Sequence, residues 1–179
     1  GRLFNIEGNL GVPLLSASDP RIRELLTEGM EFLLARNNRN LFLETVNQIT
    51  NEITDSGFNQ GMGNRGNDYV PFYYECPNNG CHSSRTELHY EDRGTSAVLS
   101  GICPTCSESI EIETSTDSPY LGEIAKHLSL RVDSRQMVID SIIPTVVHVG
   151  GPGEAAYYSQ IIPAAKAMSF RSLTGVCPG

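Results

Sequence analysis

Cys76-Pro77-Asn78-Asn79-Gly80-Cys81 and, further on, Cys103-Pro104-Thr105-Cys106 are the stretches on which the fold of this chain turns. A tetrahedral metal site needs four thiolates gathered around one ion. Two tight turns deliver them, because each turn aims a pair of sulfurs at a common point. Gly80 accepts a positive φ ahead of the second ligand, and Pro77 and Pro104 stiffen the approaches. The 21 residues between Cys81 and Cys103 suffice for an antiparallel ribbon that brings the two turns together. The spacing therefore predicts a zinc ribbon, with four buried thiols or two disulfides as the competing reading. A catalytic zinc keeps one position open for water, whereas Cys76, Cys81, Cys103 and Cys106 close the site. The expected ion is a structural Zn2+ that replaces a core too small to fold alone. His82 and His89 stand nearby as substitute ligands.

Strand patterns surround the cysteines. Residues 69–75 read as a strand leading into Cys76. Thr86, Leu88 and Tyr90 alternate with polar residues, Asp92-Arg93-Gly94 supplies a turn, and Ile110 and Ile112 alternate after the second pair. Together these define an expected zinc-ribbon unit over 69–114. Before it, Asp19 can cap a helix that starts with Pro20. Ile22, Leu25, Leu26, Gly29 and Leu33 form one helical stripe, and Phe42, Val46, Ile49 and Ile53 a second, with Asn37-Asn38 between them. That pattern predicts a helical hairpin over 18–56, preceded by a segment leading into the core (1–17). A short dimerising coiled coil is the alternative, with a homodimer as its consequence. The glycine-rich residues 57–68 lack the Gly-Lys-Ser/Thr of a phosphate loop, so they read as a flexible linker.

After the ribbon the pattern changes. Residues 115–179 alternate short helices and strands: a helix opened by Asp117-Ser118-Pro119, a brief strand at 130–132, a helix over 135–141 and a strand over 144–149. The glycine turn Gly150-Gly151-Pro152-Gly153 follows, then a helix to about residue 168 and a last strand candidate at 170–176. Strand, glycine turn, helix, strand is a βαβ unit, which requires parallel strands. Glycines at such a junction serve either a tight structural turn or a loop facing a ligand at the helix N-terminus. Cys177, the odd thiol, reads as a buried or terminal cysteine.

Composition bounds the function. A net charge of −8 on 179 residues argues against broad nucleic-acid binding, and 39% apolar with 19% charged residues excludes global disorder. Within the ribbon Arg85 and Arg93 face an excess of Glu75, Glu87, Glu91, Asp92, Glu108, Glu111 and Glu113, the wrong balance for phosphates. No apolar run reaches the roughly 18 residues of a membrane span. Close cysteine pairs suit a metal in a reducing compartment, so the expected location is cytoplasmic. The Gly1 start and the Cys177-Pro178-Gly179 end read as those of a piece excised from a larger protein.

Ser134-Arg135-Gln136-Met137, then Ile143 through Glu154 with its Gly150-Gly151-Pro152-Gly153-Glu154 run, then Tyr157-Tyr158-Ser159-Gln160, resemble the late core of the cysteine-adding enzyme family of bacillithiol biosynthesis. The resemblance covers roughly residues 128–179. It implies part of a Rossmann-like nucleotidyltransferase core, similar to class I aminoacyl-tRNA synthetases; this chain would add to it a helical hairpin and an inserted zinc ribbon, the ribbon being a departure from the family's pattern. It also implies a ligase reaction that joins cysteine to the amine of glucosaminyl-malate, with a nucleotide as a candidate cofactor of the whole protein. This stretch alone is expected to be inactive. Its partners would be a small-molecule substrate and the remainder of the same polypeptide.

Six residues are candidates for substrate. Arg135 can grip a carboxylate or phosphate. His148 reads either as a proton donor or phosphate contact, or as a satisfied core histidine. Gly150, Gly151 and Gly153 would present backbone N–H groups. Glu154 either complements the helix dipole or binds the substrate amine. Two non-catalytic readings compete with the enzyme: a zinc ribbon that binds a partner, and a zinc-stabilised domain used only for assembly.

Overall fold

A computed structural model describes residues 16, 19–143, 145, 147–169, 175 and 176. The readings placed on residues 1–15 and on Cys177 lie outside the described residues. Helices α1 (Pro20–Leu25), α2 (Thr27–Leu34) and α3 (Arg36–Asp55) come first. Strands β1 (Tyr69–Glu75), β2 (Arg85–Asp92), β3 (Ser96–Ile102) and β4 (Ser109–Ser115) follow. A 3-10 turn (Gly122–His127) then leads into the short strand β5 (Leu128–Leu130). Helix α4 (Val132–Ile142), strand β6 (His148–Val149), helix α5 (Pro152–Ala167) and strand β7 (Gly175–Val176) complete the chain.

The main sheet has five strands in the order β4-β3-β2-β1-β5, and every pairing in it is antiparallel. The fold is therefore α/β in the broad sense of mixed helix and strand, but its principal sheet is not the parallel sheet of a Rossmann-like core. The reason lies in β5. Its three residues pair with Phe72, Tyr73 and Tyr74 at the free edge of β1, so the segment after the ribbon extends the ribbon's own sheet. Parallel pairing occurs where the βαβ pattern predicts it, between His148 and Gly175 and between Val149 and Val176, across α5.

The alternation in β2 holds: Thr86, Leu88 and Tyr90 are buried and their neighbours exposed. Pro71, which cannot donate to a ladder, falls where the β1–β2 register shifts between Tyr69 and Tyr73. Its carbonyl instead accepts from the Ser134 hydroxyl and the Arg131 N–H of the α4 start. The helical segment breaks at Ala35, in an extended conformation, rather than at Asn37-Asn38. Asn38 is inside α3, where its amide donates to the Phe32 carbonyl at 2.9 Å and closes the corner. Leu26, Met30, Leu33 and Leu34 join Phe42 and Val46 in the core with Phe72, Leu99, Leu128 and Met137.

Residues 57–68, read as a flexible linker, are tied down. The buried Gln160 of α5 accepts from the Met62 N–H at 2.8 Å and donates to the Met62 carbonyl and the Thr50 hydroxyl. Asn47 holds both backbone groups of Arg65 in the same way. Side chains with matched donors and acceptors do here what strand pairing does elsewhere. Gln160→Leu leaves a buried N–H and a buried C=O unpaired, at about 1–3 kcal/mol each. The expected outcome is a stability loss of roughly 2–5 kcal/mol in urea unfolding, and a loss within error would show that water replaces the glutamine.

Candidate metal centre and glycine turn

The sheet order positions the cysteines. β1 and β3 both run antiparallel to β2, so they run in the same direction and end at the same edge of the sheet. Cys76 follows the last residue of β1 and Cys103 the last of β3. Each pair sits on a closed turn. The Cys76 N–H bonds to the Ser84 carbonyl and the Cys103 N–H to the Glu108 carbonyl. The turns close through left-handed residues: Gly80 at φ 88°, His82 and Ser83 after the first pair, and Ser107 at φ 61° after the second.

The four Sγ atoms lie within 4.8 Å of one another. Cys76 and Cys106 are 3.7 Å apart, and Cys81 and Cys103 are 3.9 Å apart. A tetrahedral ion with Zn–S bonds of about 2.3 Å places its sulfurs roughly 3.8 Å apart. A disulfide needs about 2.05 Å. The geometry suits one ion such as zinc, and all four cysteines are free thiols. Backbone N–H groups of Cys106 and Thr105 donate to the Cys103 sulfur and hold its thiol down at about 6. Burial pushes the Cys81 thiol up, so that sulfur stays protonated unless a cation meets it. His89 is engaged elsewhere, 2.8 Å from the Asp68 carboxylate, and His82 is not in the cysteine group.

The glycine turn joins β6 to α5. The Glu154 carboxylate accepts from the Gly151 N–H at 2.7 Å, so it closes the first helical turn on itself. A side chain at Gly150 would meet Glu154 at 3.1 Å and the Tyr158 ring at 3.2 Å, a tight fit in which those side chains must give way. Gly153 faces open space: nothing lies within 4 Å of where its Cβ would be. His148 Nε2 lies 3.2 and 3.3 Å from the two oxygens of Asp140, and its ring tilts against Tyr158. Gln136, one turn earlier on α4, donates to the same carboxylate at 3.0 Å.

Arg135 lies on a different wall. It lines a cavity with Arg23 and Arg85, and no residue from 148 to 154 lines that cavity. The turn thus gathers His148, Gly150, Gly151, Gly153 and Glu154, with Arg135 on the neighbouring surface. Asp140 escaped the sequence reading. The signal for it was its spacing from Asp133 and Met137, which puts a carboxylate on the buried face of α4.

Neither the protein-family models nor the curated proteins include a match to this chain. Among the described residues no helix is long and apolar enough to cross a membrane.

Proposed function

We propose that this chain is the metal-stabilised part of a carbon–nitrogen ligase similar to the cysteine-adding enzymes of bacillithiol biosynthesis. The observation that carries the reading is the β6–α5–β7 crossover. Its parallel pairing puts Gly150–Gly153 at the carboxyl end of a strand, where open α/β sheets bind their ligands. In this reading the crossover belongs to a larger Rossmann-like core completed by the rest of the polypeptide, which would also hold a nucleotide. The cysteine centre takes zinc as a structural ion, in the reducing conditions of a cytoplasm.

The residues of the turn then have distinct roles. His148, backed by the buried Asp140 carboxylate, accepts the proton that a substrate amine must lose before it attacks a carboxyl carbon. Gly153 lets the substrate approach the helix end closely, and Gly150 and Glu154 fix the turn. Positioning rather than covalent catalysis is what these groups supply.

Two glycine variants separate substrate contact from packing. Gly153→Val adds a side chain in open space and leaves the fold intact, while protruding into any ligand at the turn. Gly150→Val clashes with Glu154 and Tyr158 and lowers stability. Calorimetric titration of glucosaminyl-malate and of cysteine into the whole polypeptide is expected to show binding that Gly153→Val weakens at least tenfold at unchanged melting temperature. Binding unaffected by Gly153→Val, or no binding of either compound, would remove the turn from the substrate site.

A further inference from the structure

Three arginines converge on one cavity. It has a volume of about 200 Å3 and is lined by Arg23, Arg85, Arg135 and Ser129, with Met30 and Leu128 among its apolar walls. A second cavity of about 560 Å3 adjoins it, shares Arg23 and Arg85, and adds Glu75 and Lys126. In a chain with 13 basic residues and a net charge of −8, this concentration of positive charge is local and specific.

The charges there are only partly balanced. Glu75 pairs with Arg23 at 2.7 Å and approaches Arg85 at 3.6 Å. Arg135 has no hydrogen-bond or ion-pair partner for its guanidinium among the described residues. Among the described residues that line the cavity, Arg135 is the guanidinium without a carboxylate beside it. The hydroxyl of Ser129 is buried beside Glu75 without a hydrogen bond of good geometry. Hydrogen bonds from guanidinium groups to an anion are charge-assisted and stronger than neutral ones.

We propose that this cavity binds a compact oxyanion, either a phosphate group or a dicarboxylate. Arg135 and Arg85, which both line the cavity, supply the grip. The paired oxygens of such a group match the planar fork of a guanidinium. The cavity is enclosed by the helical segment, the ribbon strand β2 and the start of α4, so it exists only when the metal-bearing sheet is assembled. The proposal does not depend on the ligase reading, since no residue of the glycine turn takes part.

Inorganic phosphate and succinate, titrated separately into the zinc-loaded chain at low ionic strength, test it. Saturable binding of at least one is expected, and which one binds names the headgroup. Arg135→Gln, at an exposed position, should weaken binding at least tenfold without lowering the melting temperature, and Arg85→Gln should do the same. Arg93→Gln, which removes an equal charge from the β2–β3 turn, and Gly153→Val should leave the affinity unchanged. No saturable binding of either anion would overturn the site, as would an affinity equal in Arg135→Gln and the parent. Loss on Gly153→Val with none on Arg135→Gln would move the anion to the glycine turn and overturn it too.

Discussion

Stripping the metal from the folded chain is expected to melt the β1–β4 region, with loss of most of the strand signal in circular dichroism. The magnitude follows from two scales. Structural zinc in small domains contributes an apparent 10–16 kcal/mol or so near neutral pH. A whole domain of this size is held by about 5–15 kcal/mol in total. Four thiols crowded within 4.8 Å of one another have no other compensation for their burial and mutual repulsion once ionised. Elemental analysis should give one zinc per chain, and each of Cys76→Ser, Cys81→Ser, Cys103→Ser and Cys106→Ser should reproduce the chelated state. Because β5 and the α4 start hang on β1, the disturbance should reach Leu128–Leu130 as well. A native spectrum after complete demetallation would show that the sheet does not need the ion.

The same pairing marks the limit of what the sequence reveals. The cysteine spacing and the two-residue alternation of β2 and β4 are local signals, and the antiparallel strands and gathered cysteines they predict are observed. The strand β5 is only three residues long, and its partner lies more than fifty residues earlier. Nothing in Leu128-Ser129-Leu130 says whether it joins a parallel or an antiparallel neighbour, so the reading of a parallel core over 115–179 had no local check. Residues 57–68 were opaque for a related reason. Their composition is that of a linker, and what fixes them is a glutamine on α5 nearly a hundred residues away. The helix break at Ala35 was displaced because Asn37 and Asn38 are poor in propensity yet tolerated in the first turn, where Asn38 reaches back to cap α2. For the candidate site, the clustering of the four cysteines and the glycine turn between strand and helix were legible from residue type and spacing. The backing of His148 by Asp140, and the convergence of Arg135 with Arg23 and Arg85, depend on which way helices face, and a single short helix such as α4 leaves that open.

Arg23→Met is expected to destabilise the protein nearly as much as any change outside the metal centre. Arg23 and Glu75 are 2.7 Å apart with side chains 8% and 9% exposed, and Arg23 also donates to the Lys126 carbonyl. The pair ties α1 to the last residue before Cys76. Removing one member of a buried pair costs about 3–5 kcal/mol, because the other is left charged in a poor dielectric. Replacing both, as Arg23→Met with Glu75→Leu, should recover much of that loss, which a double-mutant cycle in urea would measure. The pH dependence gives a second, independent readout. Burial works to raise the Glu75 pKa, but hydrogen bonds from Arg23 and its neighbours outweigh it, so the carboxyl titrates below its ordinary value of 4.5. A depressed folded-state pKa means stability that is fully present above about pH 4.5 and lost as the pH falls through the folded value. In Arg23→Met the burial is no longer outweighed, the folded pKa rises, and the sign reverses: the variant should gain stability relative to the parent as Glu75 takes up a proton. Parallel pH profiles for the two proteins would mean that Glu75 is not the carboxylate that Arg23 neutralises.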